Sequence, residues 1–220
     1  RFCIDATEVT RRQYDEFLKS SPKAVNHPRC TFKDGSAAPC TTNAVCTGFE
    51  PTRQVPGAGW PYNAAEADLP VLYVDWCDAY AYCEWAGKRL CGRIGGGPLA
   101  SEERLDPSKN QWYQACSENA ARSFAYGSSF VDGTCNGPGQ SPFIAGSRPT
   151  CQGGYPGVYD LSGNVFELTD LCTLGSTPES DRCIAWGGSF IEPQNASCIF
   201  IASLERGRRF ENVGFRCCSR

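Results

Sequence analysis

The fold of this chain is decided by residues 159–170, which read YDLSGNVFELTD. Ser, Gly and Asn in the first half favour a tight turn, and the second half leads into a strand. Two carboxylates, Asp160 and Glu167, flank the backbone carbonyls of Gly163 and Val165. Calcium takes about six to eight hard oxygen ligands, so these four residues predict part of a calcium site. A solvated turn in which Asp160 only caps a bend is the alternative.

Short strands are predicted around this stretch wherever brief apolar runs lie between turn residues. They fall at residues 2–4, 70–74, 165–168, 184–190, 198–203 and 213–217. Two of the runs contain distinctive sequences, WGGSF at 186–190 and VGFRC at 213–217.

Two helices are predicted from apolar residues at helical spacing. Thr10 caps the first, in which Tyr14, Phe17 and Leu18 share a face. The second follows Asp75 and ends at Gly87, with an apolar stripe of Trp76, Ala79, Tyr80, Cys83 and Ala86. A helical pattern resumes at residues 111–116. Two helices with short antiparallel strands and much irregular backbone predict an α+β fold.

One domain is predicted for residues 1–220, because the chain is 41% hydrophobic and can bury a single core. A cysteine-rich insertion is predicted at about residues 20–68 and a second one at about 91–110. The 21 basic and 24 acidic side chains are scattered, so no nucleic-acid partner is expected. No segment approaches the roughly 20 apolar residues that a membrane span needs.

Fifteen cysteines predict several disulfides and an extracytoplasmic, oxidising compartment. The odd count leaves at least one thiol free or paired between chains, and Cys77, Cys172 and Cys218 are equal candidates. The adjacent Cys217 and Cys218 are expected to reach separate partners. The sequence begins at Arg1 and contains no Met, so we expect that its natural start has been removed. A lost signal peptide or lipid-anchored leader would fit the cysteines.

The motifs at 159–170, 186–190 and 213–217 together resemble the formylglycine-generating enzyme family, also called the sulfatase-modifying factor family. The start IDATEVT at residues 4–10, followed by Tyr14 and Phe17, and WAGKRL at 85–90 are similar to it too. The resemblance implies a C-type-lectin-like fold. It also implies calcium at Asp160, Gly163, Val165 and Glu167. A second calcium of the family would fall at Asn136-Gly137, where the expected acidic partner is absent.

Two disulfides are also implied by the resemblance, Cys83 with Cys217 and Cys116 with Cys198. Each would close a long loop and so reduce the entropy of the unfolded chain. Other pairings stay open at this point, because sequence alone does not fix connectivity among so many thiols.

The family's catalytic pair of cysteines is missing from the loop after the Gly-Gly-Ser turn. Glu192 and Ser197 stand at those positions, and oxygen ligands do not replace two thiolates at copper(I). Copper is therefore not expected. With a single histidine, His27, an imidazole-rich metal site is excluded. Catalytic candidates reduce to a pocket of Trp186, Ser189, Glu192 and Ser197, in which Glu192 is either a general base or a solvated loop residue.

The leading hypothesis is a ligand- or protein-binding module of this family, stabilised by disulfides and calcium. Glycans, peptides or proteins are the expected ligands, in a groove around Phe166, Trp186, Phe190 and Arg209. The alternative is a metal-dependent oxidoreductase of the same superfamily with an altered active site. An interaction or immunity protein that blocks its partner by surface fit is a third class.

Overall fold

The computed structural model describes residues 2–22, 25–34, 46–51, 62–135 and 141–219. Within them, three α-helices lie beside two small sheets. The seven strands are β1 (Cys3–Ile4), β2 (Arg89–Leu90), β3 (Phe166–Thr173), β4 (Arg182–Trp186), β5 (Ile201–Glu205), β6 (Val213–Phe215) and β7 (Cys217–Ser219). Cys40 and the Asn136-Gly137 position lie outside the described residues.

The helices begin at polar caps. Helix α1 (Arg11–Lys19) starts at Thr10, whose hydroxyl accepts from the Gln13 amide while the Gln13 side chain accepts from the Thr10 amide. Helix α2 (Trp76–Trp85) starts at Asp75, which accepts from two backbone amides of the first turn. Both predicted caps are confirmed. Helix α3 (Gln111–Ser117) follows Asn110, where the helical pattern at residues 111–116 was predicted, and it adds a third helix to the two longer ones.

The two sheets share no strand. One has the order β1-β7-β2 and is antiparallel, and the other has the order β5-β4-β3-β6. The pairing of β3 with β6 is parallel, in register Phe166 with Val213, so the prediction of antiparallel strands was wrong for this pair. Strand β5 lies at one edge of this sheet and β6 at the other, so the chain crosses the sheet between them. Because of this crossing, β6 runs in the same direction as β3 and β5.

The predicted strand at residues 70–74 is buried but is not a strand. Tyr73 has a φ of +56°, a left-handed conformation that interrupts an extended run. The Val71 amide instead donates to Val9 O and the Tyr73 amide to Phe210 O. An apolar run alone could not reveal this break.

Two hydrophobic clusters form the interior. The first lies between α1, α2 and the strands, where the Tyr14, Phe17, Tyr82 and Phe215 rings contact one another. The second surrounds α3, where Trp112 stacks on Trp186 with ring centroids 5.5 Å apart. The turn at residues 159–165 and the loop after Trp186 lie against this second cluster.

Disulfides connect these parts. The bonded pairs are Cys30–Cys77, Cys83–Cys217, Cys91–Cys218, Cys116–Cys198, Cys135–Cys151 and Cys172–Cys183. Successive residues of β7 point to opposite faces, so the two neighbouring cysteines reach separate partners as expected. Cys77, Cys172 and Cys218 are all bonded, so none of them is the odd thiol.

Among the described residues the free thiol is that of Cys3, which is exposed on β1. Among the described strands β1 pairs with β7 alone, at the edge of the sheet. No helix in the described ranges is long and apolar enough to cross a bilayer.

Candidate functional site

The turn that precedes β3 is held by left-handed backbone and by long-range contacts. Asp160 and Asn164 have φ values of +63° and +55°, a conformation that Asn and Asp tolerate better than most residues. The Asn164 side chain donates to Glu8 Oε1 at 2.9 Å and accepts from the Phe143 amide at 2.8 Å. The turn is thereby fixed against the segment before α1.

Glu167, the second residue of β3, which was predicted to bind calcium, faces protein groups. Arg216 Nε donates to Glu167 Oε2 and Arg216 Nη2 donates to Glu167 Oε1, both at 2.7 Å, and Trp112 Nε1 donates to Oε2 at 2.8 Å. Arg216 also donates to the backbone carbonyls of Tyr159 and Asp5. A two-pronged pair of this kind is strong and directional.

Asp160 and Glu8 form the other part of this cluster. They are 3% and 1% exposed, and their carboxylates are within hydrogen-bonding reach of each other. The Gly146 amide donates to Asp160 Oδ2 at 2.6 Å, whereas Glu8 Oε2 has no hydrogen-bond partner among the described residues. Burial, followed by the Asp160 charge, raises the pKa of Glu8 well above its usual value, and burial also raises the pKa of Asp160.

The predicted calcium ligands therefore differ in how well they fit a cation. Asp160 faces a second carboxylate with an unused buried oxygen, which suits a hard cation. Glu167 does not fit as arranged, because the Arg216 guanidinium carries a positive charge and engages both of its oxygens. No group of three or more Asp, Glu, His or Cys side chains in the described part of the chain is arranged to hold a metal.

The loop after the Gly-Gly-Ser turn contains no free thiol. Glu192 is solvent-exposed at the start of a 3-10 turn, and Ser197 is half-buried. Cys198 is buried and bonded to Cys116. Ser189 is buried and its hydroxyl accepts from Asn212 Nδ2 at 3.1 Å and from the Ile191 amide at 3.3 Å. Of the four residues predicted to form a catalytic pocket, Trp186 and Ser189 are fully buried, whereas Glu192 is exposed, and the loop offers no thiolate pair.

The four residues predicted to line a ligand groove are all buried, so that prediction was wrong in its residues. Trp186 and Phe166 lie in the two hydrophobic clusters, and Phe190 packs in a third with Val165. Trp186 Nε1 donates to Thr169 Oγ1 at 3.1 Å, which satisfies its polar atom internally. Aromatic residues near a loop were mistaken for exposed ones.

Arg209, the fourth of these residues, belongs to a buried ionic cluster at the start of α2. Its Nη2 lies 2.8 Å from Asp78 Oδ2, and its Nε lies 3.3 Å from Asp75 Oδ2. Lys33 Nζ lies 2.5 Å from Asp75 and 2.7 Å from Asp78. No local pattern indicates this cluster, because its members come from three distant segments.

A partly exposed aromatic cluster lies elsewhere, near the segment that carries Ser197, with Phe124 and Tyr126 half-buried and Phe130 exposed. The Cys198 amide donates to Ser123 O at 2.8 Å, so the segment that continues from Ser123 to Phe124 starts beside Cys198. The Phe124 ring stacks on Tyr126 at 5.5 Å and lies 6.1 Å from Phe130. Phe130 is 41% and Ile199 58% exposed. We call Phe124, Tyr126, Phe130 and Ile199 the aromatic face.

Known proteins resemble this chain along most of its length. It is 29% identical over 188 residues to "Inactive C-alpha-formylglycine-generating enzyme 2" of Mus musculus, covering 75% of this chain and 56% of the relative. It is 27% identical to "Formylglycine-generating enzyme" of Mus musculus, covering 98% of this chain and 65% of the relative. The chain thus spans little more than half the length of the first of these curated relatives.

Solved structures share the fold. "Structure of PvdO from Pseudomonas aeruginosa" superposes with a TM-score of 0.62 at 18% identity, covering 99% of this chain and 79% of that one. The profile of the sulfatase-modifying factor enzyme 1-like domain matches residues 1–220. The resemblance inferred from the three motifs is thereby confirmed, and the chain belongs to the formylglycine-generating enzyme, or sulfatase-modifying factor, family.

Proposed function

We propose that this domain is a non-catalytic member of its family that binds a ligand or protein partner in an oxidising, extracytoplasmic compartment. A structural calcium ion at the Asp160 turn is part of the proposal. The observation that carries it is the loop after the Gly-Gly-Ser turn, where an exposed glutamate, a serine and a disulfide-bonded cysteine replace a reactive thiol pair.

The chemistry of that loop supports a non-catalytic role. Copper(I) in a two-coordinate site needs soft sulfur ligands, and Glu192 and Ser197 offer only hard oxygen. Cys198 is the one cysteine of the loop, and its sulfur is committed to Cys116. A relative that is named inactive is among the matched proteins, which supports the same interpretation.

The compartment is supported by the disulfides. Six bonds among the described residues, four of them joining segments more than 45 residues apart, are typical of proteins that fold where thiols are oxidised.

The aromatic face supports a binding role. Phe130 and Ile199 are exposed and Phe124 and Tyr126 are half-buried. Exposed large apolar side chains often mark contact surfaces, and aromatic rings contribute strongly to such contacts. This surface adjoins Ser197, so it lies beside the position where the family's second reactive cysteine would stand. It replaces the groove of buried residues that the sequence suggested.

An activity assay tests the non-catalytic part of the proposal. The purified domain is incubated with cuprous ion, oxygen and a cysteine-containing sulfatase peptide, with mouse formylglycine-generating enzyme as the positive control. We expect no aldehyde by mass spectrometry and no tight copper binding. Conversion of the peptide with uptake of one copper ion per chain would instead establish the oxidoreductase alternative.

A binding experiment tests the aromatic face. Ligands found on glycan and peptide arrays are measured again with Phe130→Ser and Ile199→Ser. We expect affinity to fall about tenfold or more, because truncating a central apolar anchor costs about 2 kcal/mol. Leu174→Ser is the matched control, since Leu174 is 77% exposed. It follows Thr173, which pairs with Arg182 at the start of β4, whereas Trp186 ends that strand. Equal losses from all three variants would show that this face is not the binding surface.

A further inference from the structure

One disulfide differs from the others in its exposure to solvent. Cys172 is half-buried, whereas every other cysteine of the six described bonds is at most 3% exposed. Its partner Cys183 is completely buried. The two residues that follow Cys172, Thr173 and Leu174, are both exposed. The bond therefore lies where the end of strand β3 reaches the solvent, and only one of its two sulfurs belongs to a residue that faces outward.

The strands around this bond pair less completely than those in the middle of the sheet. Cys172 and Cys183 lie directly opposite each other on the neighbouring strands β3 and β4. Among the described strands, β6 covers the other side of β3 only from Phe166 to Leu168. The register of β3 on β4 also shifts between Leu168 and Cys172. At Cys172 strand β3 thus has a strand on one side only, and such segments open locally at a lower free energy than the core.

The fold near this bond has supports other than the bond itself. Strand β4 pairs with β5 along its whole length. The loop between β3 and β4 is anchored by Asp181, which accepts from the Gly175 amide at 2.7 Å and from Arg206 Nε at 3.1 Å. The bond spans only 11 residues, so of the six it restricts the unfolded chain least. The hairpin can therefore keep its structure when the two sulfurs separate.

Access decides how fast a disulfide is reduced. The bond is broken by a thiolate that attacks one of its two sulfurs, and a buried sulfur is out of reach. The other five described bonds have two buried cysteines each, so their reduction requires the surrounding structure to open first. Attack on the remaining bond is possible from the Cys172 side without global unfolding.

We propose that Cys172–Cys183 is a thiol–disulfide exchange site, which an external dithiol opens and its oxidised form closes again while the domain stays folded. A thiolate of the dithiol attacks Cys172 Sγ and forms a mixed disulfide, and Cys183 leaves as a thiolate and takes up a proton. The second thiol of the dithiol then loses its proton and attacks the mixed disulfide, which releases Cys172 as a thiol. The protein gains two electrons and two protons, and the dithiol becomes a disulfide. This inference does not depend on the proposed function.

Timed reduction of the whole chain tests the proposal. The free thiol of Cys3 is blocked with N-ethylmaleimide, the folded protein is incubated with dithiothreitol, and samples are quenched with iodoacetamide for peptide mass spectrometry. We expect Cys172 and Cys183 to be alkylated together, at least about tenfold faster than the cysteines of any other described bond. The internal control is Cys135–Cys151, which spans a similar 16 residues but has both cysteines buried.

Two results of this experiment would overturn the proposal. One is reduction of Cys135–Cys151, or of another buried bond, as fast as reduction of Cys172–Cys183, because exposure would then not set the order. The other is loss of the native circular dichroism spectrum in step with reduction of Cys172–Cys183, because the exchange would then require unfolding. We expect the spectrum of the protein with this one bond reduced to stay native, and oxidised dithiothreitol to restore the bond.

Two variants identify the sulfur that is attacked. In a Cys3→Ser background, Cys183→Ser leaves Cys172 as a free thiol, and Cys172→Ser leaves Cys183. We expect Cys172 to react with dithionitrobenzoate in the folded protein at least about tenfold faster than Cys183, and the reverse order would contradict attack at Cys172. Where a variant fails to fold, the wild-type protein is treated with glutathione and quenched with acid. The mixed disulfide is then expected on Cys172, and finding it on Cys183 would refute the assignment.

Discussion

Gly188 shows how single residues shape the loop that carries the altered chemistry. Its φ of +74° favours glycine, and a Cβ at this position would lie 2.6 Å from Ala196 Cα. The turn thus packs directly on the backbone of the loop that contains Glu192 and Ser197. Space and conformation both require glycine here.

We therefore expect Gly188→Ala to destabilise the domain more than a substitution that meets only the conformational penalty. Gly95 is the matched comparison, because it has a φ of +94° but open space where its Cβ would be. Overpacking adds about 1–3 kcal/mol, so Gly188→Ala should lower the free energy of unfolding by that much more than Gly95→Ala. Urea unfolding measures the free energy of unfolding of both variants. Equal losses would show that the loop around Ala196 shifts to accommodate the added methyl group.

Asp170 gives the stability a defined dependence on pH. Burial raises its pKa from 3.8 to about 6, although Arg206 and Arg89 act in the opposite direction. A carboxyl with a raised pKa keeps its proton longer in the folded than in the unfolded state. Its contribution is therefore most favourable below pH 4 and is lost as the pH rises through 6.

Asp170→Asn should remove this dependence. Relative to the wild type, we expect the variant to gain up to about 3 kcal/mol of stability between pH 4 and pH 7. Asp132→Asn, on an exposed turn, should show no such change. Denaturant titrations at several pH values provide the measurement, and a difference between Asp170→Asn and wild type that is constant with pH would contradict the prediction.

Single residues were the hardest feature to predict from the sequence. Glu8 belongs to a motif that the sequence displayed, yet its neighbour Asp160 comes from far along the chain, so no local pattern exposed their contact. Trp186 and Phe190 were assigned to a groove because residue type does not report burial. Local motifs indicate which residues matter, but they do not show which way a side chain points.

Disulfides stabilise the elements to different degrees because they close loops of different length. Cys116 and Cys198, which join α3 to the loop before β5, are 82 residues apart, whereas Cys172 and Cys183 join the neighbouring strands β3 and β4 over 11 residues. In the chain-entropy model these links contribute about 4.5 and about 3 kcal/mol.

Replacing both cysteines of a pair by serine should follow this order. We expect the Cys116/Cys198 double variant to be less stable than the Cys172/Cys183 double variant by about 2 kcal/mol. Chemical denaturation of the two proteins under the same oxidising conditions tests the difference. A larger loss from the shorter link would mean that native contacts, and not loop closure, decide the effect.

Elements with a local signal were predicted well. Thr10 and Asp75 allowed α1 and α2 to be predicted, because a helix cap depends only on residues a few positions away. The run at residues 70–74 was misread because one left-handed residue, Tyr73, ends an extended segment without changing its hydrophobicity. The parallel pairing of β3 and β6 depends on the path of the chain and has no local signal.

At the scale of the molecule, a buried ionic cluster attaches the predicted first insertion to α2. Lys33 lies between Asp75 and Asp78 and also donates to Gly48 O at 3.0 Å. Its charged end has no exposed surface. This ionic cluster and the Cys30–Cys77 disulfide both join the described part of that segment to α2.

Lys33→Met should loosen that attachment and leave the two aspartates with Arg209 alone. Removing one partner of a buried ion pair costs about 3–5 kcal/mol, so we expect a loss of this size in urea unfolding. Lys109→Met is the control, because Lys109 Nζ lies 3.9 Å from Glu103 Oε1 in a partly exposed pair. A loss below 1 kcal/mol for Lys33→Met would show that water or Arg209 compensates.

Three consecutive residues near the C-terminal end of the chain bind residues that precede them by a long way in the sequence. They are Arg216, Cys217 and Cys218. Cys83 and Cys91 have partners 134 and 127 residues downstream, and Glu167 depends on the arginine beside them. During synthesis these two sulfurs emerge long before their partners and stay reduced or wrongly paired until then. Maturation of this domain should accordingly be late and sensitive to thiol-exchange helpers, with premature oxidation as its main route to failure.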